Sequence, residues 1–566
     1  MPAPRSAPNP GERGAPPLPG AVAEGTGSEG PSRAAEDTDV LVIGAGPVGL
    51  TLATALRRQL LRVRVVDRAT GPNREARADV IFPRAGEALG ALGVGETIRR
   101  HAYEMRSLNF YGDGRHLGCF TAGRFDSDYP YAMTIEQHDI ELLLAEELSG
   151  LGVDVEWRTE ATDVRQRDDH ALTTLRLPTG VTEMARASWV VACDGRRSTV
   201  RTRLGIPFDG KRRVNMQVVQ GNVVPAWPLR DRPGQGYIFL GPRCTVLAFP
   251  TPGQGYRVFC IRDDPEPDRT EPPTLGELRD LVADTAGIPL LRLGPTESGW
   301  LSRARFSDRI AAEFRRGRVL LAGDAAHAWA PVGGHGMNIG MLGAHNLAWK
   351  LAAVHHRQAG DALLDSYDIE QRALARAVIR DMRFNITEIL LPEPLHRVRT
   401  AVLRAALPWS GFQRRVEWLM SDFGRNHRDS PLSRQEVRRI GRQCRAGDRI
   451  PDVYVTREAG AEPVRLHRLL GYDRWTLLLA VARAEPAVVR RLERVCADYL
   501  AAIDIVPIAA VDRSSARQLA GVHHVTLVRP DGYVGLVAPL DDVDALRDYL
   551  AAFLVPRDPG PDHAAR

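Results

Sequence analysis

The sequence reads as an α/β protein: a parallel-sheet domain assembled from separated stretches, a mixed sheet inserted between them, a helical stretch, and a further strand-and-helix module toward the C-terminal end. Three features lead there. An apolar run, Val40-Leu41-Val42-Ile43, breaks into Gly44-Ala45-Gly46-Pro47-Val48-Gly49. A second apolar run, Val319-Leu320-Leu321-Ala322, breaks into Gly323-Asp324 and then into the glycine-rich stretch 331–338. Between them, residues 206–302 change to short alternating runs separated by Gly and Pro.

Val40 to Ile43 has no polar interruption, as a strand buried on both faces requires. Gly44 allows the tight turn, Gly46 lets backbone approach a phosphate, and Gly49 lets the next helix close on the strand. That helix is predicted from Pro47 to Gln59, with Leu50, Ala53 and Leu56 along one side. Its free amides and dipole favour an anion. A second strand, Val63 to Val66, ends at Asp67, close to the spacing of about 20 residues at which an acid binds a ribose hydroxyl. Arg68 stands beside it, placed to pack on an adenine. The segment is therefore a nucleotide cradle.

Val319 to Ala322 reads as another buried strand, with Gly323 and Asp324 at its carboxyl end, where open α/β sheets bind ligands. A carboxylate there can accept bonds from ribityl hydroxyls. In Pro331-Val332-Gly333-Gly334-His335-Gly336-Met337-Asn338 each glycine removes a side chain that would block a flat ring. Helical spacing begins at about Met337, followed by Met341, Ala344, Ala348 and Leu351 on one face. The amides at that helix start suit the N1–C2=O edge of a flavin, which becomes anionic on reduction.

The rest of the chain fills in around these segments. A helix is expected near Asp139 to Leu148 and strands at Val153 to Trp157 and Trp189 to Ala192, the latter running to Asp194 and Gly195. Alternating runs at 216–224, 237–240, 245–249 and 256–261 suggest a sheet forming one wall of a substrate pocket. Residues 37–105, 132–205 and 303–375 are assigned to the nucleotide domain, and 106–131 with 206–302 to the substrate domain. Residues 376–447 form an arginine-rich helical linker, read as a solvated charged face. Residues 448–556 alternate strands and helices again, at 476–481, 503–509, 524–528 and 533–537, with a helix from Val543 to Leu554.

Composition excludes several classes. The net charge of +5 is small for 566 residues and no basic cluster dominates, so no nucleic-acid partner is expected. The cysteines (Cys119, Cys193, Cys244, Cys260, Cys444 and Cys496) include no C-x-x-C pair, which argues against a metal site or dithiol centre and for a reducing, cytoplasmic setting. No apolar run approaches the ~18 residues of a membrane span. Residues 1–36, rich in Pro, Gly, Ala and Ser without an apolar stretch, read as a disordered tail and not as a signal peptide.

Taken together, these motifs resemble the class A flavoprotein monooxygenases, the single-component aromatic hydroxylases. Gly44, Gly46 and Gly49 match the first family motif. Cys193-Asp194-Gly195-Arg196-Arg197 matches the D-G motif, and Gly323-Asp324-Ala325-Ala326-His327 with Pro331 the third. Gln137 with Glu141 is similar to the family's Gln-x-x-x-Glu helix start, and Arg77-Ala78 to the segment that reaches the ribityl chain. Ile450-Pro451-Asp452 and the stretch 527–534 look like the thioredoxin-like C-terminal domain of the phenol-hydroxylase and polyketide-hydroxylase branch.

The resemblance implies a discontinuous Rossmann-like FAD domain, an inserted mixed-sheet substrate domain, a helical linker and a thioredoxin-like domain that, lacking C-x-x-C, serves structure or dimer contact. It implies FAD as cofactor, NADPH or NADH as transient reductant docking near Asp194, O2 and an aromatic small molecule as substrates, and hydroxylation through a C4a-hydroperoxyflavin. A monomer or homodimer is expected. No metal and no covalent nucleophile are needed. In such families His327 supports its loop, while His335 is the candidate catalytic polar group, projecting from the loop that faces the flavin. Gly343 departs from the Asp that relatives usually carry. A Baeyer–Villiger oxygenase on the same scaffold stays open, as does a nucleotide-binding regulatory protein without catalysis. A flavin halogenase is disfavoured, since no lysine precedes Lys211.

Overall fold

The structure, a computed structural model, describes residues 38–73, 80–213, 216–227, 229, 234–253, 255–296, 299–330, 332–382, 390–438, 443–457, 461–480, 485–519 and 524–557. The tail 1–36, Arg77 and Pro331 lie outside the described residues.

Thr38–Ile43 forms the centre of an eight-stranded sheet. It pairs in parallel with Val63–Val66 on one side and Thr182–Ala192 on the other, and Val319–Leu321 pairs in parallel beyond that. The order reverses at the central strand, so a crevice opens between the chains leaving the carboxyl ends of Thr38–Ile43 and Thr182–Ala192. The expected strand at 153–157 is only Val155–Glu156. The helix expected near 139–148 is longer, Gln137–Gly150.

The inserted sheet also has eight strands. Met216–Ala226, Tyr256–Asp263, Cys244–Pro250 and Gln235–Leu240 pair antiparallel in that order, and Ser107–Gly112 joins the edge in parallel. Side chains alternate between its two faces. Val219, Phe239, Val246 and Val258 pack with Leu278 and Val282 of the helix Leu275–Ala286. Val218, Ile238, Leu247 and Ile261 face the other way, toward Leu403 and Leu407 of the linker. The linker is thus not merely a solvated face. Its helices Glu393–Ala406 and Ser410–Met420 cover the substrate sheet, and Arg399 and Arg425 are buried. The arginine count concealed the apolar positions between the charges.

A seven-stranded sheet forms the C-terminal module. It is joined to the long helix His335–His355 by a buried ionic cluster. Glu370 accepts from Lys350 at 2.7 Å and from Arg529 at 2.6 Å, while Asp531 accepts from Asn346 at 2.7 Å and Trp349 at 3.1 Å. Burial pushes Lys350 down to about 8 against the attraction of Glu370. Among the described residues no helix is long and apolar enough to cross a membrane.

Three buried histidines, His327, His345 and His427, are each pushed down to about 4, chiefly by desolvation. An unfolded histidine titrates near 6.5, so the unfolded chain binds these protons first. Their neutral burial costs nothing above that pH and destabilises progressively as pH falls from about 6.5 toward 4. Burial would raise Glu87, yet Arg449 holds it at about 2, which extends the loss below pH 4. Denaturant unfolding measured across this range should show stability falling with acidification, with net proton uptake on unfolding. A flat profile between pH 6.5 and 4 would contradict this burial.

Candidate functional site

The two glycine segments meet through contacts that exclude side chains. A Cβ on Gly44 would lie 2.3 Å from the Cys193 carbonyl oxygen, and one on Gly49 would lie 1.9 Å from the Gly44 carbonyl oxygen. Gly44 has φ of 109°, open to glycine alone among ordinary choices. Val48, on the helix Pro47–Arg58, seats against Gly323 and Gly340, where added Cβ atoms would come within 2.9 and 2.6 Å of it. The first helix is therefore packed directly onto the helix His335–His355.

This packing closes one cavity of about 1740 Å³ around both motifs. Of the candidate residues, Gly44, Gly46, Pro47, Asp67 and Arg68 line it. Gln137, Asp194, Gly195, Asp324, Gly334, His335, Gly336 and Met337 line it as well. Gly49 and Gly323 work behind the wall, as close-contact positions. Asn338 is also behind it: its amide accepts from the Phe82 amide at 2.7 Å and donates to the Val80 carbonyl at 2.9 Å, pinning the strand beside the loop. His327 is buried and stacks on Trp329 at 4.6 Å.

The polar groups of the cradle are preset. Asp67 accepts from the amides of Ala45 at 2.7 Å and Ala69 at 2.8 Å. Asp194 Oδ2 accepts from the Thr199 amide at 2.7 Å, while its buried Oδ1 has no partner among the described residues. Burial raises the Asp194 carboxyl above its ordinary value against those bonds. Glu141 also lines the cavity, accepting from Gln137 and from the Asn73 amide, each at 2.7 Å. Desolvation raises it too. The sequence placed Glu141 only as part of a helix start; its cavity position depends on the 70–73 loop folding back.

The loop before the long helix is tighter than expected. Gly333 and Gly334 take φ of 78° and 72°, and the helix starts at His335, not near Met337. His335 is thus the first helical residue and not a loop projection. Beyond this point the cavity turns apolar, walled by Phe110, Phe249 and Phe259 of the inserted sheet and by Phe412, Val416 and Met420 of the linker.

These residues fit FAD. A glycine turn leads to a helix N-terminus beside an acid, and Asp194, one of whose carboxylate oxygens is buried without a partner among the described residues, lines the same cavity. A two-glycine loop then leaves room for a flat ring before the apolar lobe. The fold and site define a flavin-binding oxidoreductase whose cofactor cavity runs on into an apolar lobe for an organic substrate. Residues 37–382 match the FAD binding domain family, and residues 443–556 match the C-terminal domain of aromatic-ring hydroxylases. The 6-methylpretetramide 4-monooxygenase of Streptomyces rimosus is 32% identical, over 93% of this chain and 96% of its own. The dialkyldecalin synthase of Streptomyces rugosporus is 32% identical, over 89% and 97%. The solved anhydrotetracycline hydroxylase of Streptomyces rimosus superposes with a TM-score of 0.73 at 29% identity, covering 92% of this chain and 100% of that one. The chain belongs to the FAD-binding aromatic-ring hydroxylase family and is an FAD-dependent monooxygenase.

Gly49→Ala should abolish flavin retention, because its methyl group would occupy the space of the Gly44 carbonyl. Gly150→Ala, where nothing lies within 4 Å, should retain flavin and change stability by no more than about 1 kcal/mol. Absorbance of bound flavin after gel filtration, with denaturation curves, checks both. Yellow Gly49→Ala protein of unchanged stability would refute the close contact.

Proposed function

We propose that the chain hydroxylates a fused aromatic substrate bearing a phenol or enol, with O2 and NADPH or NADH as co-substrates. The observation that carries this reading is the continuity of the cradle with a large lobe walled by aromatic and aliphatic side chains. A simple phenol presents little apolar surface to those walls. A tetracyclic polyketide such as a pretetramide, the substrate in the name of one relative, suits them better. Bound FAD would supply the activated oxygen after reduction by the nicotinamide.

In this reading the amides after Gly44 and Gly46 and the Pro47 helix end hold the pyrophosphate, and Asp67 accepts the adenosine ribose hydroxyls. Arg68 covers the adenine. Gln137, Asp194 and Asp324 take the ribityl and phosphate region. The backbone at Gly334, Gly336 and Met337 carries the flavin ring and favours charge on its reduced edge through the helix dipole. The phenyl rings of the inserted sheet orient the substrate and exclude water. Among the described residues no disulfide joins any of the six cysteines, which suits a reducing cytoplasm.

NAD(P)H oxidation should accelerate with polycyclic phenols over simple phenols, and the product should gain one atom of label from labelled dioxygen. A product of unchanged mass would overturn hydroxylation. Label placed beside a ketone in a ring-expanded product would show Baeyer–Villiger insertion instead.

A further inference from the structure

Charged side chains interrupt the apolar lining where the linker meets the long helix. His335, Asp381 and Arg425 line the cavity there, and Asp422 lies directly behind. His335 Nδ1 stands 2.9 Å from Asp422 Oδ1, off the line of a good hydrogen bond. Arg425 spans two carboxylates, at 2.6 Å from Asp381 and 3.3 Å from Asp422. Arg380 approaches Asp381 only at 3.9 Å from the solvent side. The shorter guanidinium contact therefore goes to the half-exposed acid, and the fully buried one receives the weaker share.

Two further observations single out Asp422. Its Oδ2 is buried with no hydrogen-bond partner among the described residues. Its φ is 59°, a left-handed conformation that is unfavourable for most residues and that Asp and Asn tolerate best. A buried carboxylate that is under-compensated and held in a strained backbone is costly unless a positive group completes it. The imidazole beside it is the group able to do so, by taking a proton from the cavity side.

We propose that His335 and Asp422 form an acid–base dyad that removes the proton from the ionisable hydroxyl of the bound substrate. His335 is the catalytic residue and Asp422 the positioning residue. Asp422 pairs with the ring at Nδ1 once the imidazole is charged, and Nε2, beside Gly333 of the cavity wall, takes the proton. The substrate O–H bond breaks as the Nε2–H bond forms, the imidazolium is balanced by the Asp422 carboxylate, and nothing is oxidised or reduced. The oxyanion so formed raises electron density at its ortho and para carbons, as attack on an electrophilic oxygen requires. The proton returns when the product hydroxyl reforms. This inference rests on the hydroxylase reading only for the identity of the substrate group.

Alizarin, a fused phenol that is yellow when neutral and red-violet as an anion, reports the step without turnover. It is titrated anaerobically into the FAD-loaded protein, without NAD(P)H, at a pH below its own first ionisation. Binding to the wild type should produce the anion colour at wavelengths beyond flavin absorption. Asp422→Asn keeps the shape and tolerates the backbone, and His335→Gln removes the acceptor. Both should bind alizarin within about threefold of wild type, yet show about a tenfold lower ionised-to-neutral ratio, equal to about one pKa unit. Equal colour in the three proteins, neutral alizarin on the wild type, or no binding by the wild type would each overturn the dyad. Ionised alizarin together with products lacking oxygen label would uphold the dyad and defeat the hydroxylase reading.

Discussion

Side-chain-free contact between distant backbones is the constraint on which this molecule depends. Gly49 meets the Gly44 carbonyl, Gly44 meets the Cys193 carbonyl, and Val48 fills the space left by Gly323 and Gly340. A methyl group at these points would displace main chain, which interiors packed near crystal density do not absorb. The contacts bring three sequence motifs to one crevice at the strand reversal. Once they are in place, the position of every group in the cradle follows from the direction in which its strand or helix leaves the joint.

The C-terminal module bears on the same helix from the far side. Lys350, Glu370, Arg529 and Asp531 form a buried cluster in which each charge is compensated by its neighbours. Such a cluster adds little net stability over apolar packing, but removing one member leaves an unpaired buried charge and costs several kcal/mol. It fixes the orientation of the helix whose first turn carries His335. A module without a C-x-x-C pair thus still acts on the site, by holding the helix that starts after Gly333 and Gly334.

The sequence made the parallel strands, the glycine turns, Asp67, Asp194 and Asp324 legible, because each depends on local chain geometry: unbroken apolar runs, residues that only glycine can replace, acids at strand ends. It did not reveal the helix start at His335. The residue lies in a glycine-rich stretch where local preference opposes helix, and tertiary packing against Phe82 overrides it. Nor did it reveal the inner face of Ser410–Met420, since Phe412, Val416 and Met420 are spaced among arginines that dominate the pattern. Asp422 gave no signal at all. Its meaning comes from a left-handed backbone and from a neighbour 87 positions away, and neither is written in composition or periodicity.

What the glycine joint predicts most directly is a geometry. The decisive measurement is a crystal structure of the FAD-loaded protein. The account predicts one extended cofactor, with its adenosine beside Asp67, its pyrophosphate at the Pro47 helix end and its ring against Gly334 to Met337, the ring bordering the aromatic lobe. A flavin whose ring lies away from that loop, or an adenosine outside the Asp67 crevice, would contradict it.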